Sequence, residues 1–486
     1  MIKIQNFIDG RFVDAKNGKT FVSINPAIGK QIATVPDSDK SDVNFAVEAA
    51  STAFQLWSSK SVKERADVLY HIADLIDQNA KELAELESMD QGKPVRVAAT
   101  VDIPRASKNF RFFAGAILHE ENQFHNPQDG SINYSLRQPV GVTGLISPWN
   151  LPLYLLSWKI APAIAVGNTC VAKPSEITPL TAFRLSELIQ KTDLPAGVVN
   201  IVHGYGHSVG DAITSHPQIP LISFTGGTVT GKKVYLNAAE RFKKVSLELG
   251  GKNPTIIFAD ANYKKALSTA VRASFSNQGE ICLCGSRIFV ESTIYEQFLA
   301  DFINKTKSLT VGDPKDEKIQ IGAIVSNAHL EKIESYIALA KTEGGKIECG
   351  GKRPSNLPNH LANGYFLEPT VISGLNQSCR VLNEEIFGPV VTITPFNTEK
   401  EVIEIANSTE YGLAASIWTQ DLNKAHRVSA AVDSGSIWVN TWLNRDRRTP
   451  FGGMRHSGVG REGGRFSLEF YTKVKNICIE LDKNDD

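Results

Sequence analysis

Between Gly141 and Phe258 the sequence alternates short apolar, β-branched runs with helix-sized stretches four times over, and no other feature restricts the fold as much. The runs are Val142 to Ile146, Thr169 to Ala172, Val198 to Val202, Leu221 to Phe224 and Val245 to Leu249. Segments of helical length lie between them, near Leu151 to Val166, Pro179 to Lys191, Ser208 to Ser215 and Val229 to Ala239. A strand that returns to its own sheet through a helix crosses right-handedly, so the pattern predicts a parallel, doubly wound α/β sheet with helices on its faces. Such sheets bind ligands outside the carboxyl ends of their strands, and a dinucleotide is the leading use.

At 486 residues the chain exceeds one ordinary hydrophobic core, so two or three domains are expected, and an apolar content of 42% can fill them. Fifty-two basic residues balance fifty-two acidic ones, which leaves no overall field to draw the molecule onto nucleic acid or an anionic membrane. A small molecule is the expected partner. Six sparse, irregularly spaced cysteines fit a reducing compartment rather than a disulfide framework. The start lacks the apolar core of a secretory signal, and no run approaches the ~20 apolar residues of a membrane span, so the expectation is a soluble, cytoplasmic protein.

Turn signals at Asp9-Gly10, Asn17-Gly18 and Asn25-Pro26 predict one or two hairpins in the first forty residues. A long amphipathic helix is expected from the capping box at Ser61 and Glu64 to the stop at Gly92 and Pro94. A second α/β region follows from Lys252 to Pro450, with helices near Asn262 to Phe275 and His329 to Thr342. The final strand-like run, Val474 to Leu481, and the polar segment Asn122 to Leu136 are candidates to pair between subunits.

The chemistry concentrates at Asn277-Gln278-Gly279-Glu280-Ile281-Cys282, with Glu248 thirty-four positions earlier in Leu247-Glu248-Leu249-Gly250-Gly251. A thiol and a carboxylate, each flanked by glycines that admit close approach to the backbone, are the parts needed for covalent chemistry on a carbonyl. One competing pattern exists: Gly206-His207-Ser208-Val209-Gly210 formally fits a nucleophile elbow, which would make Ser208 the centre of a serine hydrolase. Its acid and histidine have no convincing placement downstream. Ten scattered histidines and Cys282-Leu283-Cys284 lack zinc-site spacing, so no metal is expected.

The motifs Pro148-Trp149-Asn150-Leu151-Pro152, Ala172-Lys173-Pro174-Ser175-Glu176, Phe224-Thr225-Gly226, Glu248-Leu249-Gly250-Gly251, Cys282, Glu384-Glu385-Ile386-Phe387-Gly388-Pro389 and Pro450-Phe451-Gly452-Gly453 occur in one order along the whole chain. In that order and spacing the sequence resembles the aldehyde dehydrogenase superfamily. The resemblance implies Cys282 as nucleophile, Asn150 as oxyanion donor with the Cys282 N–H, and Glu248 as the base that activates cysteine or water. A base for water implies hydrolysis to a free acid rather than transfer to coenzyme A. It further implies an NAD cradle of Ile146, Ser147, Pro148, Trp149, Lys173, Ser175, Glu176, Phe224, Thr225, Gly226, Gly227, Leu249, Gly250, Glu385 and Phe387. Lys173 and Glu176 would meet the adenine ribose, and a carboxylate there favours NAD over a 2′-phosphorylated cofactor. Many relatives carry serine where this chain has Gly227.

For the substrate, Leu151, Tyr154, Trp158, Ile281 and Leu283 would form mostly apolar walls. Arg105 and Arg445 fall where relatives with apolar substrates have apolar residues, which points to an aldehyde that is also an acid, unless each arginine pairs with Asp102 or Asp446 instead. Arg447 and Arg448 read as surface residues. Asp-Ile-Pro-Arg, Gly-Glu-Ile-Cys-Leu-Cys and Gly460-Arg461-Glu462-Gly463-Gly464 resemble the branch that oxidises 2-aminomuconate and 2-hydroxymuconate 6-semialdehydes. Succinate or glutarate semialdehyde is the saturated alternative, and a catalytically silent NAD-binding member is a third. The resemblance also implies an NAD-binding domain over 1–118 and 140–250, a catalytic domain over 251–453, and a bridging arm over 119–139 and 466–486 that builds homodimers or homotetramers.

Overall fold

The computed structural model describes residues 1–127 and 130–481; residues 128, 129 and 482–486, all inside the expected arm, lie outside the described residues. The five runs become the parallel strands Val142–Ile146, Thr169–Lys173, Val199–Ile201, Leu221–Thr225 and Lys244–Glu248. Their order across the sheet is fifth, fourth, first, second, third. The order therefore reverses beside Val142–Ile146, and a crevice opens there at the carboxyl ends, where the loops after the first and fourth strands diverge. An antiparallel strand, Gly458–Val459, closes one edge, and the hairpin Asn6–Ile8 with Arg11–Val13 closes the other. That hairpin turns through Asp9 and Gly10, both at positive φ (52° and 72°), as a two-residue turn matched to strand twist requires.

Helix Pro152–Ala165 occupies the stretch expected near Leu151 to Val166. It is buried on every side, Leu153, Leu156, Ile160 and Ile164 along one face and Trp158, Ala161 and Ala165 on the others, between the sheet and helix Ile103–Ile117. Each leucine or isoleucine contributes roughly 1.5–3 kcal/mol by leaving water. Lys159 is buried among them.

A second sheet has seven strands in the order Lys346–Cys349, Thr370–Ser373, Val390–Phe396, Arg287–Glu291, Pro254–Ile257, Ala414–Trp418 and Ser436–Val439, antiparallel only at the first pair. A third is a three-stranded antiparallel ribbon of Phe124–His125, Ser131–Pro139 and Thr472–Glu480. The two segments considered for pairing between subunits thus pair with each other within one chain.

Three expectations need adjustment. The long helix is two, Val62–Gln78 and Ala80–Gln91, broken at Asn79, whose side-chain amide donates to the Leu75 carbonyl and competes with the helical ladder. Ser61 and Glu64 form the capping box, and Gly92 at φ 92° ends the second helix. Helices Lys40–Ser58, capped by Asp39, and Ile103–Ile117 were not anticipated. The stretch after Val199–Ile201 begins as a π-helical turn, Gly206–Gly210, before helix Asp211–Ser215.

Candidate active site

Cys282 stands on a loop forced into its shape by three consecutive left-handed residues, Asn277 (φ 51°), Gln278 (φ 56°) and Gly279 (φ 72°). A Cβ on Gly279 would lie 2.1 Å from the Gly388 carbonyl oxygen, so only glycine lets the loop pack against the Glu384 to Pro389 segment. The Asn253 side chain donates to the carbonyls of both Cys282 (2.7 Å) and Cys284 (2.9 Å), which fixes the backbone of the candidate nucleophile. Asn150 follows strand Val142–Ile146 and is 3% exposed. Its amide nitrogen donates to the Glu280 carbonyl at 2.9 Å, and its oxygen Oδ1 has no partner among the described residues. Glu248 ends strand Lys244–Glu248, buried, with Oε1 likewise unpartnered.

Burial first, then the negative charge of Glu248, pushes the Cys282 thiol up. Burial and the charge of Glu462 hold Glu248 well above the usual carboxylate range, against the pull of Lys159, Arg445 and Arg461. Glu462 accepts from Lys159 Nζ (3.3 Å), which also reaches the Ser223 hydroxyl (2.9 Å). A carboxylate whose pKa is lifted by burial and a like charge has the character of a general base.

A cavity of about 240 Å³ joins Cys282 and Asn150 to Pro148, Trp149, Thr225, Gly226, Gly227, Leu249, Gly250, Glu385 and Phe387 at the crevice. Gly227 opens helix Thr228–Ala239 with no side-chain cap, and a Cβ there would meet nothing within 4 Å. The first-turn N–H groups therefore face open space suited to a phosphate. Gly250 allows close packing of Glu385, whose Oε2 would stand 2.3 Å from an added Cβ and whose Oε1 accepts the Gly251 N–H at 2.8 Å. Lys173 and Glu176 pair at 2.9 Å, with the Glu176 carboxylate partly exposed. Ile146 and Phe224 are buried at the strand ends, and the buried Ser147 hydroxyl has no partner among the described residues. Ser175 accepts the Ile177 N–H at 3.3 Å. An open glycine cradle, an unpartnered hydroxyl and a partly exposed carboxylate along one sheet edge fit a dinucleotide.

On the other side of Cys282, Leu283, Trp438, Trp442 and Phe451 are buried against one another, with Ile281 packed on them. Arg445 lies 3.7 Å above the Phe451 ring and 5.0 Å from Trp158, and Arg105 lies 5.2 Å from Tyr154 and 5.7 Å from Trp158. Nε and Nη2 of both arginines are buried without partners among the described residues. Asp446 pairs with Arg448 (2.6 Å) and Asp102 with Lys93 (2.7 Å), so neither acid neutralises Arg105 or Arg445. Burial first, then Arg447 and Arg445, lowers the Arg105 pKa against the pull of Tyr154. Leu151 is partly buried at the start of helix Pro152–Ala165. Arg448 is exposed as expected, but Arg447 is partly buried, with Nε unpartnered. The Ser208 hydroxyl donates to the Ser38 carbonyl at 3.0 Å, a bond that holds the π-turn rather than a catalytic dyad.

Sequence reasoning passed over Lys159 and Glu462, although a lone lysine inside an apolar helix was a visible sign. It also passed over Lys93, Glu280 and His329, whose contacts with the Asn150 carbonyl, Gln91 and the Phe387 carbonyl span 57, 189 and 58 positions. His329 touches the Phe387 carbonyl (2.7 Å) and stands edge-on to Trp149, bracing the cavity wall.

A model of the aldehyde dehydrogenase family matches residues 12–477. The chain is 50% identical over 479 residues to a 2-aminomuconic semialdehyde dehydrogenase of Danio rerio, covering 98% of each. It is 46% identical over 487 residues to a 2-hydroxymuconic semialdehyde dehydrogenase of Pseudomonas sp. (strain CF600), covering 99% of this chain and all of that one. Among solved structures, an NAD+ complex of aldehyde dehydrogenase from Bacillus cereus superposes with a TM-score of 0.96 at 39% identity, covering 99% of this chain and 97% of that one. The chain belongs to the aldehyde dehydrogenase family. Its doubly wound sheet, second α/β sheet and antiparallel ribbon have that architecture.

Proposed function

We propose that this enzyme oxidises an acidic, unsaturated semialdehyde of the muconate type to its carboxylic acid with NAD. Cys282 Sγ adds to the aldehyde carbon, and the Asn150 amide with the Cys282 N–H holds the oxygen as it becomes negative. Each such donor is worth roughly 3 kcal/mol where water is excluded. NAD, held by the residues of the cavity and by Lys173 and Glu176, supplies the hydride acceptor. Glu248 takes the proton from Cys282, gives it up to solvent before hydrolysis, and then takes one from the water that opens the Cys282 thioester, while Lys159 with Glu462 keeps the local charge balanced around it. The intact set of Cys282, Glu248 and Asn150 disfavours a silent NAD-binding role.

The substrate reading is carried by two guanidiniums, Arg105 and Arg445, that are stacked on Trp158 with buried, unpartnered nitrogens. Unpaired charge in an aromatic setting is costly unless a ligand supplies the counter-charge, and a planar carboxylate suits the guanidinium fork. The names of the two relatives support the same unsaturated substrate class. The ribbon residues Phe124, Val474 and Ile479 expose apolar side chains beside a free strand edge, which supports its role as the arm joining subunits. Among the described residues no helix is long and apolar enough to cross a membrane, and the six free cysteines suit a reducing, cytoplasmic setting.

Kinetics with matched aldehydes test this assignment. Arg105→Ala should lower kcat/KM for a muconic semialdehyde by about 1.5–3 kcal/mol, the worth of a charge-assisted pair, and leave a neutral aliphatic aldehyde nearly unaffected, whereas Arg445→Ala, which also removes a charge acting on Glu248, should cost the acidic aldehyde more than the neutral one. Equal losses on both substrates would reduce the arginines to structural parts.

A further inference from the structure

Lys93 is a fully buried ammonium that the chemistry above does not use. Nζ donates to Asp102 Oδ2 at 2.7 Å and to the backbone carbonyl of Asn150 at 3.1 Å, and lies 3.6 Å from Glu87 Oε1. Glu87 Oε2 in turn accepts the Leu153 N–H at 3.2 Å, three residues after Asn150. The neighbouring Gln91 donates through Nε2 to the Glu280 carboxylate at 2.8 Å, and its Oε1 accepts the Lys93 N–H at 3.0 Å. The turn Gln91-Gly92-Lys93 therefore holds the nucleophile loop with one side chain and the oxyanion loop with the next. Gly92 at φ 92° makes the turn possible, since a Cβ there would stand 2.6 Å from the Ala323 carbonyl oxygen.

From this geometry we infer that Lys93 is a positioning residue for the reaction, setting the Asn150 side chain toward the sulfur by clamping the Asn150 peptide. The inference rests on the oxyanion role proposed above for Asn150. A buried ammonium is expensive unless paired, and Lys93 has hydrogen bonds to Asp102 and the Asn150 carbonyl with the Glu87 carboxylate as a second counter-charge at 3.6 Å. Burial tends to lower the Lys93 pKa, but Asp102 and Glu87 outweigh it, so the ammonium stays charged. The second donor on the Asn150 carbonyl, Asn277 Nδ2 at 3.2 Å, comes from the nucleophile loop itself, so Asn150 and Cys282 are indexed to one point. Asp102 directly precedes helix Ile103–Ile117, which carries Arg105 one turn on, so the same lysine ties the oxyanion donor to the element that reads the substrate carboxylate.

Displacing a catalytic amide by a fraction of an ångström costs rate rather than affinity. Lys93→Met should lower kcat about 10- to 100-fold, the range for a mispositioned oxyanion donor, while KM and the NAD dissociation constant stay within about twofold. Because it acts through Asn150, the double variant Lys93→Met/Asn150→Ala should be no slower than Asn150→Ala alone. Should Lys93→Met fail to fold, the neutralised triple Lys93→Met/Asp102→Asn/Glu87→Gln, with and without Asn150→Ala, makes the same comparison. A parental kcat in the Lys93 variant, or losses that multiply in the double variant, would overturn the inference. A parental rate in Asn150→Ala alone would remove the oxyanion role itself, and the clamp with it.

Discussion

At the scale of single residues, the site opposes the thiolate of Cys282. Burial and the adjacent Glu248 carboxylate both push the thiol up, so in the proposed mechanism Glu248 must be ionised and accept the proton as the bond forms. The acid side of the pH profile of kcat/KM should then follow Glu248, whose pKa is raised by burial and by the charge of Glu462. Removing that charge stabilises the ionised form, so Glu462→Gln should move the acid limb to lower pH, by about one unit for a neighbouring charge. An unmoved or rising limb would mean that another group sets it. The residues of the reaction were legible because they sit in glycine-framed motifs where spacing survives. Lys93 and Glu280 were not, since their meaning lies in contacts such as Gln91 to Glu280, 189 positions apart. Arg447, read as a surface residue, is partly buried because Arg445 and Arg447 turn inward while Asp446 and Arg448 face out, an alternation that nothing local shows.

At the scale of elements, glycines decide which loops can exist. Gly279→Ala forces both a left-handed alanine and a backbone collision with Gly388, and neither can relax alone. We expect it to lose about 2 kcal/mol or more of stability together with most activity, as judged by thermal unfolding and turnover. Gly227 is the opposite case. Its φ of −72° and open surroundings admit a side chain, so Gly227→Ser should fold normally and raise the melting temperature slightly, by a few tenths of a kcal/mol of N-cap energy. A clear loss of stability would show that the cradle is tighter than its geometry. The strands of the parallel sheet were readable to within a residue or two because both faces are buried and the runs are continuously apolar. The break at Asn79 was not, since the apolar period runs through it and only the asparagine side chain interrupts the ladder.

At the scale of the whole molecule, the reversal of strand order beside Val142–Ile146 brings the loops bearing Asn150 and Gly227 to one crevice, and the loop leading into strand Arg287–Glu291 of the second sheet delivers Cys282 to its mouth. The alternation of runs and helices made that sheet predictable, whereas which chain the two ribbon segments pair with is a long-range matter that local pattern does not encode. On the arm role proposed for the ribbon, the parent should sediment as an oligomer, and charge on the exposed apolar positions, Val474→Glu with Ile479→Glu, should leave monomers in sedimentation velocity. An unchanged distribution would assign the subunit interface elsewhere.

The most direct test is to catch the covalent intermediate. With a muconic semialdehyde and NAD, the parental enzyme stopped within its first turnover should hold a thioester before water has opened it. Rapid quenching and peptide mass mapping should then find the acyl group on Cys282, in an amount that depends on NAD. An acyl group on another residue, or reduced cofactor formed at the parental rate by Cys282→Ala, would contradict the account.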